Sequence, residues 1–215
     1  AIVDKLQNEN GLTYTINQIS CANGAKQSVC NTIMVLINPG DEVIIPAPFW
    51  VSYPEMVKLA EGTPVIIPAG IEQNFKITPV QLEAAITPKT KAIMICNPNN
   101  PTGYLYSKEE LLLLGEIAKK HNLYLFADEV YREFCYDGKQ HFSVMEMEDL
   151  SQHVILLDSV SKRYSACGAR IGVIISKNKA IMNAALRMAQ ARLCAPYFGQ
   201  LFGEAAVDTP QEYFD

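Results

Sequence analysis

Seven short apolar runs, several of them rich in β-branched residues, recur along the chain: "QISCA", "DEVIIP", "TPVIIP", "KAIMIC", "NLYLFA", "HVILLD" and "RIGVII". Between most of them the apolar residues repeat at helical spacing, over 26–37, 50–60, 79–86, 107–121 and 178–192. A short run that is apolar at consecutive positions suits a strand buried on both faces, and strands alternating with helices build an α/β domain. The alternation predicts a three-layer α/β/α fold around a mostly parallel, seven-stranded mixed sheet. The last two runs are separated by too little sequence for a crossover helix, so that pair is expected to be antiparallel. No repeat, charge block or low-complexity linker divides residues 1–215, and one domain accounts for them.

At 49% hydrophobic and 19% charged residues, the chain has the balance of a globular domain with a sizeable core. Its net charge of -5 argues against a surface that tracks nucleic-acid phosphates. The six cysteines, Cys21, Cys30, Cys96, Cys135, Cys167 and Cys194, form no CxxC pair, and most lie in apolar runs. They read as reduced, buried thiols of a cytosolic protein. The histidines, His121, His141 and His153, lack metal-ligand spacing, so no metal site is expected. With no signal peptide and no uninterrupted apolar stretch of about 18 residues, the expectation is a soluble, cytoplasmic protein without a membrane partner. "AIVDKLQNENG" reads as the end of an amphipathic helix closed by glycine, and "TPQEYFD" stops at no evident boundary, so a fragment of a longer chain is expected.

In open α/β sheets ligands gather beyond the carboxyl ends of the strands. Five such ends carry chemistry. Gly24, Ala25 and Lys26 open a helix after the first run, where free backbone N–H groups and the helix dipole favour a phosphate. Trp50 offers a flat ring for stacking, and the amide of Asn100 in "NPNNPTG" offers both donor and acceptor. Asp128 ends the fifth run with Tyr131 three residues on; a carboxylate among apolar neighbours needs a cationic partner, and a protonated ring nitrogen is one. Lys162 follows the sixth run, preceded by Ser159 and Ser161; a desolvated lysine is an amine capable of a Schiff base, and Arg170 carries a planar fork suited to phosphate. Taken singly, each has an ordinary structural explanation: a Gly turn, a core ring, a proline-fixed loop, a helix cap, a snorkelling lysine. Together they meet the requirements of one cofactor, pyridoxal 5′-phosphate.

"NGAKQ", "PAPFWVSYPEM", "NPNNPTG", "ADEVY" and "SVSKRYSACGARIG" occur in the order and at the spacing of a known family. The sequence resembles the fold-type I pyridoxal-phosphate aminotransferases of class I/II, in particular the bacterial aspartate-aminotransferase-like subgroup, over practically its whole length. The resemblance implies that Lys162 forms the Schiff base and acts as base and acid, that Asp128 pairs with the pyridine nitrogen, and that Tyr131 and Asn100 bond the phenolic oxygen. It further implies that Trp50 stacks on the ring, and that Gly24, Ala25, Lys26, Ser159 and Arg170 hold the phosphate. Asn100, Trp50 and Lys26 are the implied substrate contacts, Lys26 reaching the distal carboxylate of an acidic amino acid. The implied activity is ping-pong transamination with a 2-oxo acid such as 2-oxoglutarate, by a homodimer. Residues 1–215 then correspond to the large, cofactor-binding domain, without the family's N-terminal segment and C-terminal small domain, and such a fragment is expected to turn over poorly. A pyridoxal-phosphate β-lyase and a non-catalytic regulator domain are the alternatives. Cys167 stands where methionine or threonine is frequent in the family.

Overall fold

A computed structural model describes residues 1–214. Its seven strands are β1 (Ile19–Asn23), β2 (Glu42–Ala47), β3 (Thr63–Pro68), β4 (Thr90–Cys96), β5 (Tyr124–Asp128), β6 (Val154–Ser159) and β7 (Ile171–Ile175). They form one sheet in the order β1-β7-β6-β5-β4-β2-β3. β7 runs antiparallel to both its neighbours, β6 and β1, while the other pairs are parallel. The predicted antiparallel pair is therefore present. Because β7 is the single reversed strand, the carboxyl ends of β1, β4, β5 and β6 lie along one edge, and Arg170, just before β7, joins them there.

The helices are α1 (Ile2–Asn10), α2 (Ala25–Leu36), α3 (Ser52–Leu59), α4 (Pro79–Ala85), α5 (Lys108–Lys120), α6 (Val160–Arg163), α7 (Lys179–Gln190) and α8 (Tyr197–Ala206). The five helices read from periodicity are all present within two residues of their expected bounds. Their starts are marked in the sequence: Ser107 with Glu110 makes a capping box for α5, Thr78 with Gln81 makes one for α4, and the Asn178 side chain caps α7.

Side-chain alternation on the strands divides the core in two. Ile44, Ile93, Leu125 and Leu156 face one side, where Leu6 of α1, Leu82 of α4 and Leu111, Leu114 and Ala118 of α5 cover them. Val43, Met94, Phe126 and Ile155 face the other, under Val29 and Ile33 of α2, Tyr53 and Val57 of α3 and Ile181 of α7. Helices on both faces explain why the strands read as continuous apolar runs. Truncating Phe126, which is fully buried in this second layer, to alanine would cost about 3–5 kcal/mol.

The cysteine reading is corrected. Only Cys96 is buried; Cys30 and Cys135 are half-buried, and Cys21, Cys167 and Cys194 are exposed. The reason is the strand's place in the sheet. β1 is an edge strand with alternating burial, so Cys21 falls on its open positions, while Cys167 and Cys194 lie in turns outside the sheet. Among the described residues no helix is long and apolar enough to cross a membrane.

Candidate active site

Parallel pairing puts the chemistry of three strands side by side. Asp128 is in register with Cys96 of β4 and Leu157 of β6, and Ser159 is in register with Gly172 of β7. Asp128 is 4% exposed, and its Oδ2 accepts a 2.7 Å hydrogen bond from the Tyr53 hydroxyl while Oδ1 accepts the Val130 N–H at 3.3 Å. Burial pushes its pKa up to about 6 although both hydrogen bonds oppose the rise. Both donors are neutral, and among the described residues no cation pairs with this carboxylate.

The turn after β5 brings Tyr131 to the same edge, where its hydroxyl accepts from Asn100 Nδ2 at 3.4 Å. Lys162 lies on α6, the single helical turn that leaves β6, and the Ser159 hydroxyl caps that turn by accepting the Ser161 N–H at 3.1 Å. The lysine is exposed at the cavity mouth rather than sealed between strands, because α6 swings the chain out of the sheet before the four-carbon arm begins. Its Nζ is 5.6 Å from the centre of the Tyr131 ring.

Opposite, the start of α2 forms an anion cradle. Gly24 has φ 79° and ψ 163°, a conformation reserved for glycine, and a Cβ there would lie 2.2 Å from Arg170 Nη2. The missing side chain lets the guanidinium lie against the helix start, held by the carbonyls of Asn23 at 3.2 Å and Cys167 at 2.9 Å. Gly172 serves the same approach from β7, since a Cβ there would meet Ala25 N at 2.4 Å. Two sources of positive potential thus face one point, the first N–H groups of a twelve-residue helix and an arginine fork. Lys26 Nζ stands 4.8 Å over the Trp50 ring, whose edge packs on Tyr53.

One cavity of about 220 Å³ collects Ala25, Lys26, Trp50, Asn100, Asp128, Tyr131, Ser159, Lys162 and Arg170, with Gly24 directly behind Arg170. Ser161 and Cys167 also line it. A larger hollow of about 290 Å³, lined by Ile2, Leu6, Ile171, Val173 and Ile175 among others, contains neither Lys162 nor Asp128. Three cavity residues were not singled out from the sequence as site residues: Tyr53, Cys96 and Val130. Tyr53, the donor to Asp128, stands one helical turn after Trp50 inside "PAPFWVSYPEM", and that spacing was the available signal. Cys96 is visible only through strand register.

A fold of this topology with a lysine, a buried aspartate and an arginine-flanked helix start at one sheet edge defines a class, and comparison agrees. The family model "Aminotransferase class I and II" matches residues 1–215, and the chain belongs to that family. It is 42% identical over 214 residues to the aspartate aminotransferase of Geobacillus stearothermophilus, covering 98% of this chain and 54% of that protein. It is 40% identical to an aspartate/prephenate aminotransferase of Cereibacter sphaeroides, over 99% of this chain and 54% of that protein. The crystal structure of the aspartate aminotransferase from Rhizobium meliloti superposes with a TM-score of 0.93 at 36% identity, over 99% of this chain and 54% of that one. The chain therefore spans about half the length of the curated relatives it matches.

Class I and II aminotransferases are pyridoxal 5′-phosphate enzymes, and the residues present fit that group. The first N–H groups of α2, with the Arg170 guanidinium brought against them through the space a Cβ on Gly24 would fill, suit a phosphate. The buried Asp128 carboxylate suits a protonated ring nitrogen, and the Tyr131–Asn100 pair suits a phenolic oxygen.

Proposed function

We propose that the protein bearing this chain is a pyridoxal-phosphate-dependent aminotransferase that exchanges an amino group between an acidic amino acid, aspartate foremost, and a 2-oxo acid such as 2-oxoglutarate. Residues 1–215 serve as its cofactor-binding large domain. The observation that carries the reading is the single cavity into which Lys162, Asp128 and Arg170 open.

When bound, the cofactor supplies an electron sink for the pair released at the substrate Cα. The chain's own residues do the rest. Arg170, Ser159 and the backbone N–H groups at the start of α2 hold the phosphate. Asp128, whose ionised form is costly in its buried site, is stabilised by a cation placed against it and so keeps the ring nitrogen protonated. Tyr131 and Asn100 orient the ring through its oxygen, and Trp50 closes one side. Lys162 would hold the cofactor through its amine, and the same amine, when free, would be the base that takes the proton from the substrate Cα. Lys26, next to Trp50, presents a cation to the distal carboxylate of the substrate. The relatives named aspartate aminotransferase support this substrate class. A homodimer and a cytoplasmic location belong to the same proposal.

The test uses the full-length protein with aspartate and 2-oxoglutarate. Glutamate formation with ping-pong kinetics is expected, and Lys162→Ala should abolish it together with borohydride fixation of the cofactor. Pyruvate and ammonia released from a cysteine-type donor, without glutamate, would point to lyase chemistry instead. Lys26→Ala should lower kcat/KM for aspartate by about 10–100-fold, the equivalent of one charge-assisted hydrogen bond. Aspartate turnover unaffected by that change would remove Lys26 from substrate recognition.

A further inference from the structure

Behind the cavity a chain of charges ties α1 to both halves of the site. The sequence neighbours of Tyr131 and Lys162 are Arg132 and Arg163, with side chains only 8% and 10% exposed. Neither lines the cofactor cavity; both bind the same carboxylate, Glu9, near the end of α1. Arg132 Nη2 donates to Glu9 Oε2, and Arg163 Nη2 donates to Glu9 Oε1 at 2.8 Å. Glu133 bridges the pair a second time, accepting from Arg132 Nε at 3.3 Å and from Arg163 Nη1. Lys5, one turn earlier on α1, is 3.1 Å from Glu9, and Asp158, just before Ser159, is 3.7 Å from Arg132 Nη1. The Arg163 guanidinium also lies 4.6 Å from the centre of the Phe214 ring.

Such a network is a poor source of stability, since desolvating the charges offsets much of their attraction. Its geometric effect is larger. A guanidinium is a rigid planar fork, so each pairing fixes the direction of its arginine as well as its distance. α6 is a four-residue turn anchored in the core by Val160 alone, so the pairing of Arg163 helps set the orientation of the turn and with it the direction of Lys162. Arg132 does the same for Tyr131. Glu133 belongs to the turn that it braces, whereas Glu9 arrives from a separate helix and spends one oxygen on each arginine.

Resting on the aminotransferase reading, we infer that Glu9 is a positioning residue: its carboxylate, shared between Arg132 and Arg163, sets Lys162 against Tyr131 across the cavity. It touches neither substrate nor cofactor.

The experiment compares Glu9→Gln, Glu9→Asp and wild type in the full-length protein. In the cofactor-free form, the rate at which an amine-acylating reagent labels Lys162 is read by mass spectrometry against exposed Lys119 of α5 in the same molecule. In the loaded form, the wavelength of the visible cofactor band and the kcat and KM for aspartate are read. For Glu9→Gln the Lys162/Lys119 labelling ratio should move at least threefold and kcat should fall about tenfold with little change in KM, while Glu9→Asp restores part of both. A labelling ratio and visible band identical to wild type in Glu9→Gln would overturn the inference. Should Glu9→Gln fail to fold, Arg163→Lys keeps the cation and removes the fork, and the same ratio decides. A wild type that binds no pyridoxal phosphate would defeat the aminotransferase reading, while labelling of the cofactor-free protein would still show whether Glu9 positions Lys162.

Discussion

The hydrogen bond from Tyr53 to Asp128 carries a prediction with a definite sign. Tyr53→Phe removes one hydroxyl and leaves the ring, so α3 keeps its packing and no sizeable cavity opens. The lost bond is a 2.7 Å O–H donation to a carboxylate that is 4% exposed, and burial holds the Tyr53 hydroxyl well above its ordinary pKa, so it is a neutral donor throughout. A hydrogen bond to a charged group is worth about 1.5–3 kcal/mol, which at 1.36 kcal/mol per pH unit raises the Asp128 titration by roughly one to two units. From its starting value of about 6 the carboxyl then titrates at or above neutrality. Stability follows by linkage. The folded-state value exceeds the ordinary 3.8, so the contribution of Asp128 is full below 3.8 and is lost as pH rises through about 6, ~3 kcal/mol in all. In the variant that loss extends to higher pH. The assay is a 13C titration of the Asp128 carboxyl in the cofactor-free full-length protein, paired with the pH dependence of cofactor affinity. Both midpoints should move upward together by about one to two units. A midpoint that stays near 6, or falls, would refute the reasoning that Tyr53 stabilises the ionised form.

Gly24→Ala places a methyl where Arg170 Nη2 lies and forces an L residue into a glycine-only conformation. Cofactor affinity, followed by fluorescence titration, should fall about 10–100-fold, with ~1–3 kcal/mol lost in a urea melt. Glu129, fully buried beside the site, is pushed up to about 8 by burial although the Val144 N–H binds its Oε1 at 2.9 Å. Its contribution is full below the ordinary 4.5 and lost as pH rises through 8, on the order of 5 kcal/mol. The neutral, isosteric Glu129→Gln should therefore show less loss of stability between pH 5 and pH 9 than wild type in urea melts, and parallel curves for the two proteins would argue against a protonated Glu129.

The architecture was legible because both of its signals are local. Consecutive apolar positions in "KAIMIC" and "HVILLD" require cover on both faces, and the short link between "HVILLD" and "RIGVII" requires a reversal; neither inference depends on which strands are neighbours. The strand order itself was less accessible. That β1 pairs with β7, at the far end of the sequence, follows from packing and not from any property of "QISCA". The cysteine reading failed at the same point: an apolar run on an edge strand exposes part of itself, so Cys21 looks like a core residue in sequence and is open in the fold.

The site shows the same division in its chemistry. Residues that face the cavity come from strand ends, where a charge or an amide interrupting an apolar run is visible one residue at a time, and Lys162, Asp128, Asn100 and Arg170 could be read that way. Residues that hold those groups in place have partners far away in sequence. Tyr53 lies 75 positions from Asp128, and Glu9 lies 154 positions from Arg163. In sequence they are an ordinary helical tyrosine and an ordinary helical glutamate, because nothing local forces either one to be polar. What selects them is the desolvation of their partners: a buried carboxylate must find donors, and guanidinium groups only 8% and 10% exposed must find acceptors. The reverse argument is therefore usable on other chains. Once strand ends have located the reactive groups, every charged neighbour one residue away that does not line the cavity requires a partner, and the element supplying it is the one that orients the site.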